Sequence, residues 1–280
     1  MNKQSSAVKG FILAAGLFAV AAEAGVPLNG LQGDGGIAFN PLAYLAGTYD
    51  KNSSLGDVVS KPQVGTWYVN LDHGDINWYA ASAAFSVAKR LELSYGYGFI
   101  DAKGVDESID TQNLGAKLKL LDENYGDTVW VPAIAVGGIW KYTDADVTKA
   151  LGLNRSGADF YLVATKLITQ TPLPVLLSAG VLESDEVVNG VLGHGDYGTV
   201  GFGNIDILPA KNIAVGVEYK QGVDAGNGIQ NSDYYNGHVA WFATDKLTLV
   251  AAYADTGESG KGFSNLGVGD GFVLSAQYAF

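Results

Sequence analysis

The feature that most limits what this chain can fold into is a period of two. From Leu91 to Phe99 every second residue is large and apolar (Leu91, Leu93, Tyr95, Tyr97, Phe99), while Glu92, Ser94, Gly96 and Gly98 lie between them. Successive side chains of a β-strand point to opposite faces, so the segment has one greasy face and one polar face. The next apolar segment repeats the pattern and adds charge. Leu114, Ala116, Leu118 and Leu120 fall on one side, and Gly115, Lys117 and Lys119 on the other. A helix would scatter both sets around its circumference. These segments are strands, and the apolar side of each must meet something apolar.

Twelve segments of this kind follow one another, at residues 63–71, 76–88, 91–100, 112–121, 130–141, 158–168, 175–182, 200–208, 213–221, 234–243, 247–255 and 271–280. Typical lengths are close to the roughly 9 to 11 residues that a tilted strand needs to cross a bilayer. Their connections alternate in length. Residues 89–90, 169–174, 209–212 and 244–246 are short, whereas 101–111, 142–157, 183–199, 222–233 and 256–270 are long and polar. Strands that all cross one layer between two unlike mouths require that parity; a water-soluble sandwich does not. Two connections break it: 122–129 is longish on the short side, and 72–75 is short on the long side. Residues 37–49, which include Pro41, either lie outside the wall, giving twelve strands, or add two short ones, giving fourteen. Twelve is the preferred count.

At the other end, Lys3 and Lys9 precede an apolar run over residues 10–22, and Ala22-Glu23-Ala24 supplies a small-x-small site before Gly25. This reads as an export signal cleaved after residue 24. The run is shorter than the about 20 apolar residues of a spanning helix, and no later segment offers one, so any crossing falls to strands. Residues 25–61 form a glycine-rich lead, expected as a lumen plug or as extra strands, and residues 62–280 form one barrel. The lead's Gly30-Leu-Gln-Gly-Asp-Gly-Gly has neither the spacing nor the following helix of a phosphate-cradling loop. Cysteine is absent, so an exported fold here is held without disulfides. A net charge of −12 argues against a nucleic-acid partner, since phosphate binding needs a basic surface.

The last ten residues place Phe272, Leu274, Ala276, Tyr278 and Phe280 on one face and Val273, Ser275, Gln277 and Ala279 on the other. This ending resembles the terminal strand of outer-membrane β-barrels, whose assembly machinery reads a C-terminal Phe preceded by alternating apolar residues. Trp67, Trp78, Trp130, Trp140 and Trp241 fall toward strand ends and are expected on the lipid face as interfacial girdles.

Alternation then sends Glu92, Lys117, Lys119, Lys166, Asp206, Glu218, Lys220 and His238 inward, with Ile213, Val215, Val217, Tyr235, Val239 and Trp241 outward. A Lys on the lipid face near the midplane costs ~2 to 4 kcal/mol, which fixes the register of the Lys117 and Lys119 strand. Two roles suit the inward charges. They neutralise one another, Glu92 with Lys119 and Glu218 with Lys220 or neighbours, or they line a water-filled passage. His238 is expected to be hydrogen-bonded rather than a metal ligand, since no second ligand accompanies it. No catalytic group is expected. The three histidines, His73, His194 and His238, are not evidently beside Ser184, Ser264 or Ser275, and no cofactor or metal is implied. The acidic residues Asp144, Asp146, Glu183, Asp185 and Glu186 read as solvated loop groups.

Gly36-Ile-Ala-Phe-Asn-Pro-Leu-Ala-Tyr, Gly157-Ala-Asp-Phe-Tyr-Leu-Val-Ala-Thr-Lys, Ala214-Val-Gly-Val-Glu-Tyr, Ala240-Trp-Phe and Ala251-Ala-Tyr together resemble an uncharacterised proteobacterial family, domain of unknown function 3034. The loop over residues 189–197 is longer and richer in glycine than that pattern. The resemblance implies an outer-membrane barrel and carries over no activity, substrate or catalytic residue. The sequence reading is thus an all-β, antiparallel up-and-down barrel of a Gram-negative outer membrane, exported and monomeric. Its partners would be outer-membrane lipid and the periplasmic chaperones and barrel-insertion machinery. The expected function is porin-like passive passage of small solutes. The alternatives are a plugged structural barrel that presents loops such as 222–233 for binding, and, more remotely, a membrane-embedded hydrolase.

Overall fold

A computed structural model describes residues 28–49, 58–105 and 107–280. The segment expected to be an export signal lies outside the described residues, as do residues 50–57 of the lead and residue 106. Among the described residues fourteen strands occur in chain order: β1 (Gln63–Leu71), β2 (Ile76–Val87), β3 (Leu91–Ala102), β4 (Ile109–Leu121), β5 (Ala133–Asp144), β6 (Ser156–Ile168), β7 (Val175–Ser184), β8 (Glu186–Val188), β9 (Val191–Leu192), β10 (Gly198–Ala210), β11 (Ile213–Lys220), β12 (Tyr234–Phe242), β13 (Leu247–Asp255) and β14 (Asp270–Ala279). All but β8 and β9 join into one closed barrel in which each strand pairs with its neighbours in sequence, β7 pairing directly with β10. The ring closes where β1 meets β14 antiparallel, from Gln63 opposite Ala279 to Leu71 opposite Gly271. The twelve-strand reading holds, and residues 37–49 add nothing to the wall.

Closure follows from the alternation. Each strand has an apolar outer face that water would not tolerate and a backbone that hydrocarbon would not tolerate unpaired. A ring satisfies both demands because it leaves no edge. In β3 the odd positions from Leu91 to Phe99 are exposed and Glu92, Ser94, Gly96 and Gly98 are buried. The same sorting exposes Leu114, Leu118, Val215, Val217, Val239, Leu274 and Phe280 on the outside. No helix among the described residues is long and apolar enough to cross a membrane.

Two tryptophans depart from the girdle expectation. Trp140 and Trp241 are exposed on the outer face and Trp130 is exposed in the turn before β5, but Trp67 and Trp78 are buried inside. Their positions alternate with the outward Tyr68 and Tyr79, whose rings lie 5.1 Å apart on neighbouring strands. Position along the strand suggested the lipid boundary, and parity overrode it.

β8 and β9 form a small hairpin within the connection from β7 to β10 and lie buried rather than in solvent. That placement overturns the solvated reading of Asp185 and Glu186, which are 1% and 0% exposed.

Candidate functional site: the barrel interior

The interior is occupied by the chain's own lead. Every residue from Asn29 to Ala38 is buried, as are most from Asn40 to Gly47. The segment has no strand of its own, only turns and isolated bridges such as Asn29 with Gly35 and Gly36 with Pro41. Its backbone groups therefore need partners, and the wall supplies them as charges. Glu218 on β11 accepts from the amides of Phe39 (3.0 Å) and Asn40 (2.7 Å), with that of Ala38 farther off at 3.3 Å. Glu92 on β3 accepts from Gly35 N (2.8 Å) and Ala46 N (2.6 Å). Lys117 on β4 donates to the carbonyls of Gly35, Leu42 and Tyr44 at 2.8 to 3.0 Å. Neutral groups complete the seat. Thr165 Oγ1 accepts from Ala43 N at 2.9 Å, Gln277 Oε1 from Asn29 N at 2.7 Å, and Asn29 O from Trp67 Nε1 at 3.0 Å. The last bond explains why an indole faces inward.

Close approach shapes the seat at one point. A Cβ on Gly96 would lie 2.4 Å from Gln32 O, and one on Gly33, whose φ is +102°, would lie 2.8 Å from Gly96 N. Two glycines are needed where the lead crosses β3.

Nearer the long-loop end a second cluster locks the β8–β9 hairpin. Glu186 receives Lys220 Nζ at 2.6 Å, the ammonium of Lys141, the amide of Gln32 from the lead, and Gly190 N at 2.6 Å. Lys141 also pairs with Asp159 at 2.5 Å. Burial alone would raise the Glu186 carboxyl, but the two ammonium groups outweigh it and hold it down at about 2. In the lead, burial prevails at Asp34 and lifts its carboxyl to about 6, although Lys117 pulls the other way.

The sequence-derived residues divide accordingly. Glu92, Lys117, Asp206, Glu218, Lys220 and His238 are buried inside the wall. The pairing differs from expectation: Glu92 meets Lys117 at 3.1 Å, directly opposite in register, and not Lys119. Lys119 stays at the short-turn rim, bonded to Asp122 at 2.7 Å. Glu218 binds the lead and Asn236, while Lys220 binds Glu186 and Asn189. Lys166 departs from the inward assignment. It pairs in register with the outward Leu177, and Glu123 and Asn124 of the β4–β5 turn fold over it. His238 is hydrogen-bonded through both nitrogens, Nε2 to Asp206 Oδ1 at 2.6 Å and Nδ1 to Asn236 Oδ1 at 2.8 Å. Ser184 Oγ donates to Asp159 at 2.9 Å.

Sequence reasoning missed Lys141, Asp159 and Glu186. One signal was available: Glu186-Val-Val-Asn-Gly-Val-Leu carries Asn-Gly between apolar pairs, the strongest short-range mark of a hairpin.

Among solved structures the chain is similar to a KdgM porin, with a TM-score of 0.52 and 12% identity over 78% of this chain and 99% of that one. It is also similar to an outer membrane channel from Pseudomonas putida F1, with a TM-score of 0.50 and 14% identity over 79% of this chain and 94% of that one. Both likenesses concern the fold, which is that of outer-membrane β-barrels. No protein with a curated description matches the sequence. Residues 25–275, the lead and nearly all of the wall together, match the family described as protein of unknown function (DUF3034), and the chain belongs to that family.

Proposed function

We propose that this protein sits in an outer membrane as a barrel shut by its own lead, and that it passes small polar solutes when the lead leaves the lumen. The observation that carries the reading is how the lead is held. Glu92, Lys117 and Glu218 grip its main chain, and water offers a carboxylate or an ammonium the same kind of bond. An apolar lumen would dewet once emptied, whereas a charged one refills with water, so displacement replaces bonds instead of abolishing them. The exposed apolar band on the outer wall supports the membrane placement. The sequence reading of an open passive pore becomes a gated one, and the plugged structural barrel is the competing reading.

Planar-bilayer recording separates the two. The full chain is expected to be silent with rare steps, and Glu218→Gln, which weakens the seat while leaving the wall paired, to step at least about tenfold more often. If Glu218→Gln and Lys117→Gln both stay silent at every salt concentration while the wild type is silent too, the passage is absent and the structural reading stands.

A further inference from the structure

Over the long-loop mouth the connections do something that solvated loops do not. They converge apolar side chains on one cavity of about 180 Å³ whose lining carries no polar surface. The floor and one side are wall, with Trp78 and Ile100 among the contributors. The helix α1 (Asp146–Ala150) and the residues after it supply Val147 and Leu151, the β8–β9 hairpin supplies Val188, and the last two long connections supply Ile229 and Phe263. With Val105 from the β3–β4 connection, five separate connections meet at one space. Protein interiors normally close such gaps, because lining atoms without neighbours forfeit their dispersion contacts. This one stays open although every lining residue comes from a connection or from near a strand end.

We infer that this cavity is a binding site for a small uncharged apolar molecule, a monocyclic aromatic hydrocarbon or the tip of an alkyl chain. An apolar void of about 150 Å³ stays dry and accepts benzene, so a slightly larger one accepts a ring with one or two methyl groups. Water gains little there, because the lining turns no polar surface toward the cavity. Leu151 and Phe263 line the cavity yet are 41% and 49% exposed; they mark the side from which a guest arrives without crossing the lumen. The site therefore does not depend on the lead moving, and it stands or falls apart from the gated passage.

The test uses the full chain in detergent micelles, with iodobenzene as probe. Its heavy atom quenches indole fluorescence at short range, and Trp78 is in the lining. Wild-type protein should show a saturable component of quenching, and iodobenzene-soaked crystals should show iodine inside the cavity. Ala102→Phe fills the space, and Val188→Phe serves if Ala102→Phe does not fold; either should weaken half-saturation by at least about tenfold. Saturable quenching by a fatty acid brominated at its tail would identify the guest as an alkyl chain, and saturation by iodobenzene alone would identify it as a free aromatic. Quenching that rises linearly with probe and is the same in wild type and filled variants, with iodine only on the outer wall, overturns the inference.

Discussion

The lead and the β8–β9 hairpin both lie inside the barrel, yet they are held in opposite ways. The lead offers its backbone and the wall offers side chains, as at Glu218 and Lys117. The hairpin is held chiefly through one side chain, Glu186, on which the wall converges Lys141 and Lys220, with Asn189 and the Gly190 carbonyl as lesser contacts. The lead, gripped mainly by its main chain, relies on few of its own side chains, Asn29, Gln32 and Asn40 among them. A segment gripped by one carboxylate cannot lose that carboxylate. The two inserts are therefore expected to differ in which residues matter and in how pH acts on them.

The largest expected effect is at Glu186. Glu186→Ala leaves Lys220 buried with only Asn189 and should cost about 3 to 5 kcal/mol, the range for stranding one partner of a buried ion pair. A lowered denaturant midpoint for loss of the compact form on a gel checks it, and an unchanged midpoint would remove the lock from the account.

Acid and base should next separate the inserts. The folded Glu186 carboxyl lies at about 2, below the ordinary 4.5, so its contribution is present above 4.5 and lost as pH falls toward 2. Asp34, at about 6 against an ordinary 3.8, has the opposite sense: the lead is best seated below 3.8 and loses that advantage as pH rises through 6. Each window is worth on the order of 3 kcal/mol. Hydrogen exchange at pH 3, 5 and 7 should show hairpin amides loosening toward acid and lead amides loosening toward neutrality, and Asp34→Asn should abolish the second trend.

Glu218→Gln sharpens the contrast at lower cost. The amide oxygen still accepts, so the loss is about 1 to 1.5 kcal/mol, the margin of charged over neutral hydrogen bonds. Amides 38–40 should exchange faster, and Gly190 N, held by Glu186, should not change. The smallest effect belongs to neither insert. Lys103→Ala breaks an exposed pair with Asp75 and should shift stability by no more than about 1 kcal/mol, setting the baseline for the rest.

The wall was legible because its physics is local. Leu91 to Phe99 and Leu114 to Leu120 carry their facing in their own spacing, and a Lys can sit on only one side of such a strand. Which Lys meets Glu92 was not legible, because it depends on the length of the β3–β4 connection and on the register that sets Leu91 opposite Leu118. Trp67 could not be placed either, since its partner is a carbonyl of the lead, and a segment held by its backbone leaves no periodic trace. Lys166 misled by its charge: an outward Lys is tolerable at a rim where Glu123 reaches over it. Glu186 was hidden by the polarity of its loop, although the Asn-Gly turn beside it was in plain view.

The central claim, that residues 28–48 occupy the lumen of the membrane-inserted barrel, meets its most direct test in a crosslink. The chain has no cysteine, so Ala43→Cys with Thr165→Cys places the only two thiols where Ala43 N and Thr165 Oγ1 are 2.9 Å apart. In outer-membrane vesicles, mild oxidation should join them in nearly every molecule without loss of the folded band, and a membrane-impermeant maleimide should label them slowly. Rapid labelling of both thiols with no crosslink would mean that the lead lies elsewhere, and the account of a barrel shut from within would be wrong.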